Sequence, residues 1–302
     1  MVELTRKEYS APRVTGDPGE VSDGVFVIPD RRVSLVPNVG IVVGDDAALV
    51  IDTGVGPRNG RYVLEQATRL AGKRTLYLAI TQLDPGHGFG IQAFKGTATI
   101  IFGAAQRDRL ERYAPRYAEA FGKLGLGEAV EREFEGLELV GPDIVHDGHL
   151  TLDLGGIKAV LKEWGPAHTT DDQTVLVGDR VLFGGDLFGT RMFPILPYVP
   201  PFDVDFVPGR WFDALDNLIA LEPEKVVPGH GEVADAGLIR EVRTCLAFVR
   251  DEAGRLKADG VPFDEAAAIV EKRAIARWHT WEGPQMVRLL TKAFYAQRGE
   301  GA

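Results

Sequence analysis

The chain has a single cysteine, Cys245, among its 302 residues. A disulfide within the chain is thereby excluded, and this usage suits a reducing, cytoplasmic setting. Cys245 falls in an amphipathic helical pattern and is expected to be a packed core thiol. No apolar run approaches the ~20 residues a membrane helix requires, so no membrane partner is expected. The first eight residues, Met1 to Glu8, lack the apolar centre of a signal peptide. Basic residues are outnumbered, 34 against 44 acidic ones, for a net charge of −10. That sign argues against nucleic acid as a partner, because phosphate binding needs clustered Lys and Arg.

What is present is an ordinary globular composition, 45% hydrophobic and 26% charged. Strands are expected at 25–28 and 33–36, then a hairpin over 38–52 around Gly44-Asp45-Asp46. Residues 59–71 carry apolar side chains at helical spacing. Residues 75–80 form a buried strand, and residues 97–102 form the next after a short helix at 90–94. Alternation of this kind indicates an α/β layered fold. Two charged helical stretches, 104–121 and 126–134, form either a wall over a pocket or a solvated pair; charge-laced helices usually face water. Hairpins follow over 150–164 and 174–183. Residues 188–206 hold Phe193, Pro194, Pro197, Tyr198, Pro200, Pro201 and Phe202, an apolar wall for a small-molecule substrate or, alternatively, a homodimer contact. A helix at 210–221, a strand at 225–227 and three terminal helices complete the pattern. His146 and His149 flank Asp147-Gly148 and are expected on a surface turn. His279, between Trp278 and Trp281, is read as part of an aromatic helix end that packs or dimerises.

The chemistry concentrates in Thr81-Gln82-Leu83-Asp84-Pro85-Gly86-His87-Gly88-Phe89-Gly90. Pro85 and the glycines turn the chain at the C-terminal end of strand 75–80, where α/β proteins place ligands. Gln82, Asp84 and His87 then alternate with small or apolar residues, so several donors can converge. The segment resembles the metal loop of the metallo-β-lactamase superfamily, His-x-His-x-Asp-His. Gln82 and Asp84 fall on the first two histidines, Gly86 on the aspartate and His87 on the last histidine. Four further stretches resemble the same family in the same order. They are the hairpin ending at Asp52-Thr53-Gly54, the run from Gly165 through His168 to Asp172, the strand ending in Gly184-Gly185-Asp186, and Pro228-Gly229-His230-Gly231.

The resemblance implies a four-layer αββα sandwich with added C-terminal helices. One domain is expected over 1–302, its core about 24–235 and its helical extension about 236–302. It implies one or two divalent metal ions, zinc first, with iron or manganese as alternatives. One site would comprise Asp84, His168 and Asp186 with Gln82 as a weak fourth ligand; the other would comprise His87, His230 and the shared Asp186. The activity implied is hydrolysis of a small ester, lactone or amide by metal-activated water, with Asp84 and Asp186 as catalytic groups. Asp84 stands in as base because Gly86 cannot. A mononuclear iron enzyme of non-hydrolytic type, or a metal-binding protein without catalysis, are the alternatives. Asp52 is expected beneath the loop, accepting hydrogen bonds from its backbone, or else as a plain strand-end turn.

Overall fold

The computed structural model describes residues 9–196 and 207–296. The first eight residues and the Pro197–Phe202 part of the expected aromatic wall lie outside them. Two sheets form the centre. The larger runs in chain order through β1 (Gly19–Ser22), β2 (Val25–Ile28), β3 (Val39–Val43), β4 (Ala47–Ile51), β5 (Thr75–Ala79), β6 (Thr99–Gly103) and β7 (Ile144–His146). Its first three pairings are antiparallel and its last three parallel. The smaller sheet comprises β8 (His149–Asp153), β9 (Lys158–Glu163), β10 (Gln173–Val177), β11 (Val181–Phe183) and β12 (Lys225–Val227), with β11 and β12 parallel.

Period-two alternation explains the layers. In β4, Ala48 and Val50 join the core under helix α1 (Gly56–Ala71), while Leu49 and Ile51 face the second sheet. In β11, Leu182 points outward and Val181 and Phe183 point inward; β12 repeats this with Val226 and Val227. Each central strand is therefore apolar on both faces, as a strand covered on both sides must be. The outer face of the second sheet is covered by α6 (Pro208–Ala220), α7 (Gly237–Ala258), α8 (Phe263–Arg277) and α9 (Gln285–Ala296), which share one apolar cluster with Leu182 and Val226. Helix, sheet, sheet, helix is the order expected. No helix among the described residues is long and apolar enough to cross a membrane.

Between α1 and α6 the chain forms α2 (Pro85–Gly88), α3 (Ala104–Arg112), α4 (Ala114–Gly122) and α5 (Glu128–Glu131). The stretch expected as one helix over 104–121 breaks at Tyr113, just before Pro115, which cannot supply an amide to a continuing helix. Nor is it a solvated pair. Tyr117, Phe121 and Val130 are buried against Phe89, and Glu133 is 1% exposed beside Arg13.

Two other expectations change. Residues 33–36 are not a strand: Arg31, Arg32 and Leu35 have positive φ, and Val33 and Val36 donate to the Asp30 and Val33 carbonyls. Consecutive tight turns leave no extended run to pair. His146 is not on the surface either. It closes β7, is 7% exposed, and its Nε2 lies 2.6 Å from Gln173 Oε1, because the Asp147-Gly148 turn begins only after it. His149 and His279 are exposed. Cys245 is fully buried, and burial pushes its thiol pKa up.

Trp211 on α6 is fully buried, donates from Nε1 to the Leu187 carbonyl at 3.0 Å, and lies 5.5 Å from the His168 ring. Trp211→Ala is therefore expected to cost about 3–5 kcal/mol of stability, read as a lower urea midpoint with an unchanged slope.

Candidate metal centre

β4, β5, β11 and β12 all end at one edge of the sandwich, and each delivers a polar residue there. Asp52 follows β4 in the left-handed region, φ 68°. Its carboxylate accepts from the Thr81 amide at 2.7 Å and from the Thr81 hydroxyl at 2.9 Å. It also meets His87 Nδ1 at 2.8 Å. Asp52 thus holds both the start of the loop and its histidine. A carboxylate can only accept, so Nδ1 must carry the proton.

That assignment leaves His87 Nε2 aimed at Asp186 Oδ2, 3.2 Å away. Two lone pairs cannot face each other at this distance unprotonated; either an imidazolium or a bound cation is required. Burial disfavours a charged His87, but Asp186 and Asp52 outweigh it and hold the imidazole pKa well above its ordinary value. Burial alone would raise the Asp186 pKa. His87, His230 and His168 reverse this and hold it far below the carboxylate range.

Asp186 approaches because glycines let it. A Cβ at Gly229 would sit 2.1 Å from Asp186 Oδ1, and Gly185, at φ +53°, would bring one within 2.7 Å of Thr81. His230 Nε2 lies 3.5 Å from Asp186 Oδ1, and the His87 and His230 rings are 5.7 Å apart, edge to face. The His230 turn is fixed from the opposite sheet. Asn38 donates from Nδ2 to the Pro228 and Gly231 carbonyls at 2.9 and 2.7 Å, and Asp30 accepts from the Gly231 amide at 2.9 Å. Arg32 donates to the Thr190 carbonyl at 2.9 Å and pairs with Glu232. Sequence reading missed Asp30, Asn38 and Arg32. No local pattern in the sequence marked them, because their partners lie about 160 to 200 positions away.

Among the described residues, His87, Asp186 and His230 form the group of three whose donor atoms lie within 4.8 Å of one another. Asp84 and His168 do not join it. His168 is buried with Nδ1 3.3 Å from Asp172, and its Nε2 has no hydrogen-bond partner. Burial lowers its pKa, but Asp172, Asp186 and Asp84 outweigh this and leave it raised. Gln82 donates from Nε2 to Asp186 Oδ2 at 3.0 Å, so its amide faces the carboxylate as a donor. Asp84 accepts from the Tyr117 hydroxyl. Gly86 lies in α2, outside the positive-φ region, and a Cβ there would meet the Leu35 carbonyl at 3.2 Å.

The donor set fits a divalent cation. Asp186 Oδ1 is buried without a hydrogen-bond partner, an expensive state for an ionised oxygen. Two imidazole nitrogens and a carboxylate around it match zinc, iron or manganese chemistry. The Asp52 contact to His87 Nδ1 is the kind of outer hydrogen bond that orients a ligating imidazole.

A family model described as the metallo-beta-lactamase superfamily matches residues 34–230. Among solved structures, the sec-alkylsulfatase Pisa1 from Pseudomonas sp. shares 15% identity over 93% of this chain and 50% of its own, with a TM-score of 0.69. This chain thus spans half the length of that protein. The DIM-1 metallo-beta-lactamase shares 18% over 76% of this chain and 96% of its own, at 0.56. An archaeal superfamily protein from Sulfolobus tokodaii shares 22% over 70% and 80%, at 0.51. At these identities the likeness is one of fold.

If Asp186 organises the centre, Asp186→Ala will retain far less metal than His168→Ala when both folded variants are analysed for bound metal. Equal, partial loss in the two would contradict the arrangement.

Proposed function

The chain belongs to the metallo-beta-lactamase superfamily, and on that premise we propose a metal-dependent hydrolase of a small ester, lactone or amide, built around one principal ion. The observation that carries this reading is the trio His87, Asp186 and His230, within 4.8 Å and with one buried carboxylate oxygen unpaired. A superfamily of metallo-hydrolases supports the general activity; the substrate class rests on the chemistry of the site.

His87, Asp186 and His230 would hold a divalent ion, which when bound would supply a lowered pKa for water, towards about 7, and polarisation of the scissile group. The chain's own residues do the rest. Asp52 holds the His87 proton on Nδ1 and so keeps Nε2 turned to the centre. Asp186 supplies the negative charge, and Gly229 and Gly185 allow its close approach. Asp172 fixes the ring of His168 through Nδ1 and leaves its buried Nε2 without a hydrogen-bond partner. Asp84, which accepts from the Tyr117 hydroxyl, is the carboxylate assigned the role of proton acceptor in this reading.

The C-terminal helices are read as part of the same domain, since their apolar side chains share a cluster with β11 and β12. A second reading is favoured by one feature: two imidazoles and one carboxylate form the facial set typical of non-haem iron. Zinc is the metal expected for hydrolysis, iron for that alternative.

Protein purified without added metal is expected to hold about one equivalent per chain and to hydrolyse p-nitrophenyl acetate. A chelator should abolish that activity and readdition of the metal should restore it. Iron in the protein, with oxygen consumption and no esterase activity, would favour the second reading; a metal-free, inactive protein would refute both.

A further inference from the structure

We propose that Gln82 is a positioning residue: its side-chain amide grips Asp186 at two points and keeps that carboxylate aligned for the ion, without joining the coordination. The inference rests on the one-ion reading above and adds what aligns its central ligand.

Gln82 stands where the family resemblance implies a weak fourth ligand, and it is 1% exposed. Its Nε2 donates to Asp186 Oδ2 at 3.0 Å. Its Oε1 lies 3.5 Å from the Asp186 amide nitrogen, the weaker of two contacts to one residue. Chemistry fixes which way the amide faces. An ionised carboxylate only accepts and a backbone N–H only donates, so nitrogen must meet the first and oxygen the second.

The backbone on either side of Gln82 is pinned. The Thr81 amide donates to Asp52 at 2.7 Å, and the Thr81 carbonyl accepts from the Gln173 amide at 2.7 Å. The Leu83 amide donates to buried Asp171 at 2.7 Å, and Arg109 from α3 pairs with that carboxylate at 3.1 Å. The side chain of Gln82 thus starts from a fixed point. Asp186 is brought to it by Gly185, where a Cβ would come within 2.7 Å of Thr81 and 3.2 Å of Gln82 Oε1. The Gly185 carbonyl is itself held by the Gly229 amide at 2.7 Å. One amide therefore joins the chain after β5 to the chain after β11, across the two sheets.

Asp186 Oδ2 faces Gln82 and His87, while Oδ1 has no hydrogen-bond partner. Without the amide, the carboxylate is freer to turn, and an ion must realign it on binding. Hydrogen bonds that orient a ligand in this way are worth roughly tenfold to hundredfold in metal affinity. Because Gln82 acts through Asp186, removing it should weaken the ion and leave the atoms around it unchanged. A ligand role predicts instead that an oxygen is lost from the coordination.

The test compares full-length wild type with Gln82→Leu, both freed of metal, checked for folding by circular dichroism and titrated with cobalt(II) alone. Leucine offers neither donor nor acceptor. Wild type should bind one cobalt. Gln82→Leu should bind one about tenfold to hundredfold more weakly, with the wild-type visible spectrum. Crystals of the metal-free variant should show the Asp186 carboxylate turned from its wild-type position while His87 stays on Asp52. A folded variant with wild-type affinity, an unmoved Asp186 carboxylate or altered cobalt bands would overturn the inference alone. Crystals of cobalt-loaded wild type decide the question even if the variant fails to fold. Gln82 Nε2 should remain on Asp186; Gln82 Oε1 on the ion would overturn the inference. A wild type that binds no cobalt would overturn both this inference and the reading beneath it.

Discussion

One imidazole held between two carboxylates ties the molecule together. His87 meets Asp52 at 2.8 Å through Nδ1 and Asp186 at 3.2 Å through Nε2, all three buried. Asp52 closes a strand of the larger sheet and Asp186 follows a strand of the smaller one. The contact therefore spans the sandwich at the edge where β4, β5, β11 and β12 end. Two ionised carboxylates in a desolvated edge need compensating positive charge. Histidine supplies part of it, and a divalent cation is the group that would supply the rest.

Much of the surrounding structure serves to hold that edge. Asn38 and Asp30 belong to the lead-in of the larger sheet but bond the turn that carries His230. Their reach depends on the tight turns at residues 31–35, three of which take positive φ. The same turns bring the Leu35 carbonyl to the α carbon of Gly86, within 3.2 Å of where a Cβ would stand. A side chain at 86 would force that carbonyl to move by a few tenths of an ångström. The absence of an aspartate at this position is thus matched by the local backbone. On the other side, α3 and α4 engage the loop through Asp171 and Tyr117, so the insertion contributes to the site rather than merely covering it.

The layered fold was legible because strand alternation and turn chemistry are local. The Gly44-Asp45-Asp46, Gly155-Gly156 and Gly178-Asp179 turns marked the hairpins, and the helix read at 59–71 and the three terminal helices announced themselves by their apolar spacing. The readings that changed depended on contacts distant in sequence. Residues 33–36 have strand-like composition, but Asp30 and Asn38 are recruited to residues 228–231, about 190 positions away. His146 looked like turn punctuation until Gln173 supplied its partner across the sheets. The charged helices hid a buried face made by only a few residues, Tyr117, Phe121 and Val130. At the centre, the resemblance to the family's motifs named the candidate residues. It could not tell that Gln82 turns its amide to Asp186 or that Asp84 turns to Tyr117, because both depend on rotamers chosen by neighbours.

A single principal ion between His87, Asp186 and His230 is what the charge at this edge calls for. Anomalous diffraction from crystals of the metal-loaded protein, recorded at the absorption edge of the metal found, tests it directly. The predicted result is one strong peak among those three side chains, with Gln82, Asp84 and His168 outside its coordination. A dominant peak beside Asp84 and His168, with the His87 and His230 side empty, would contradict the account.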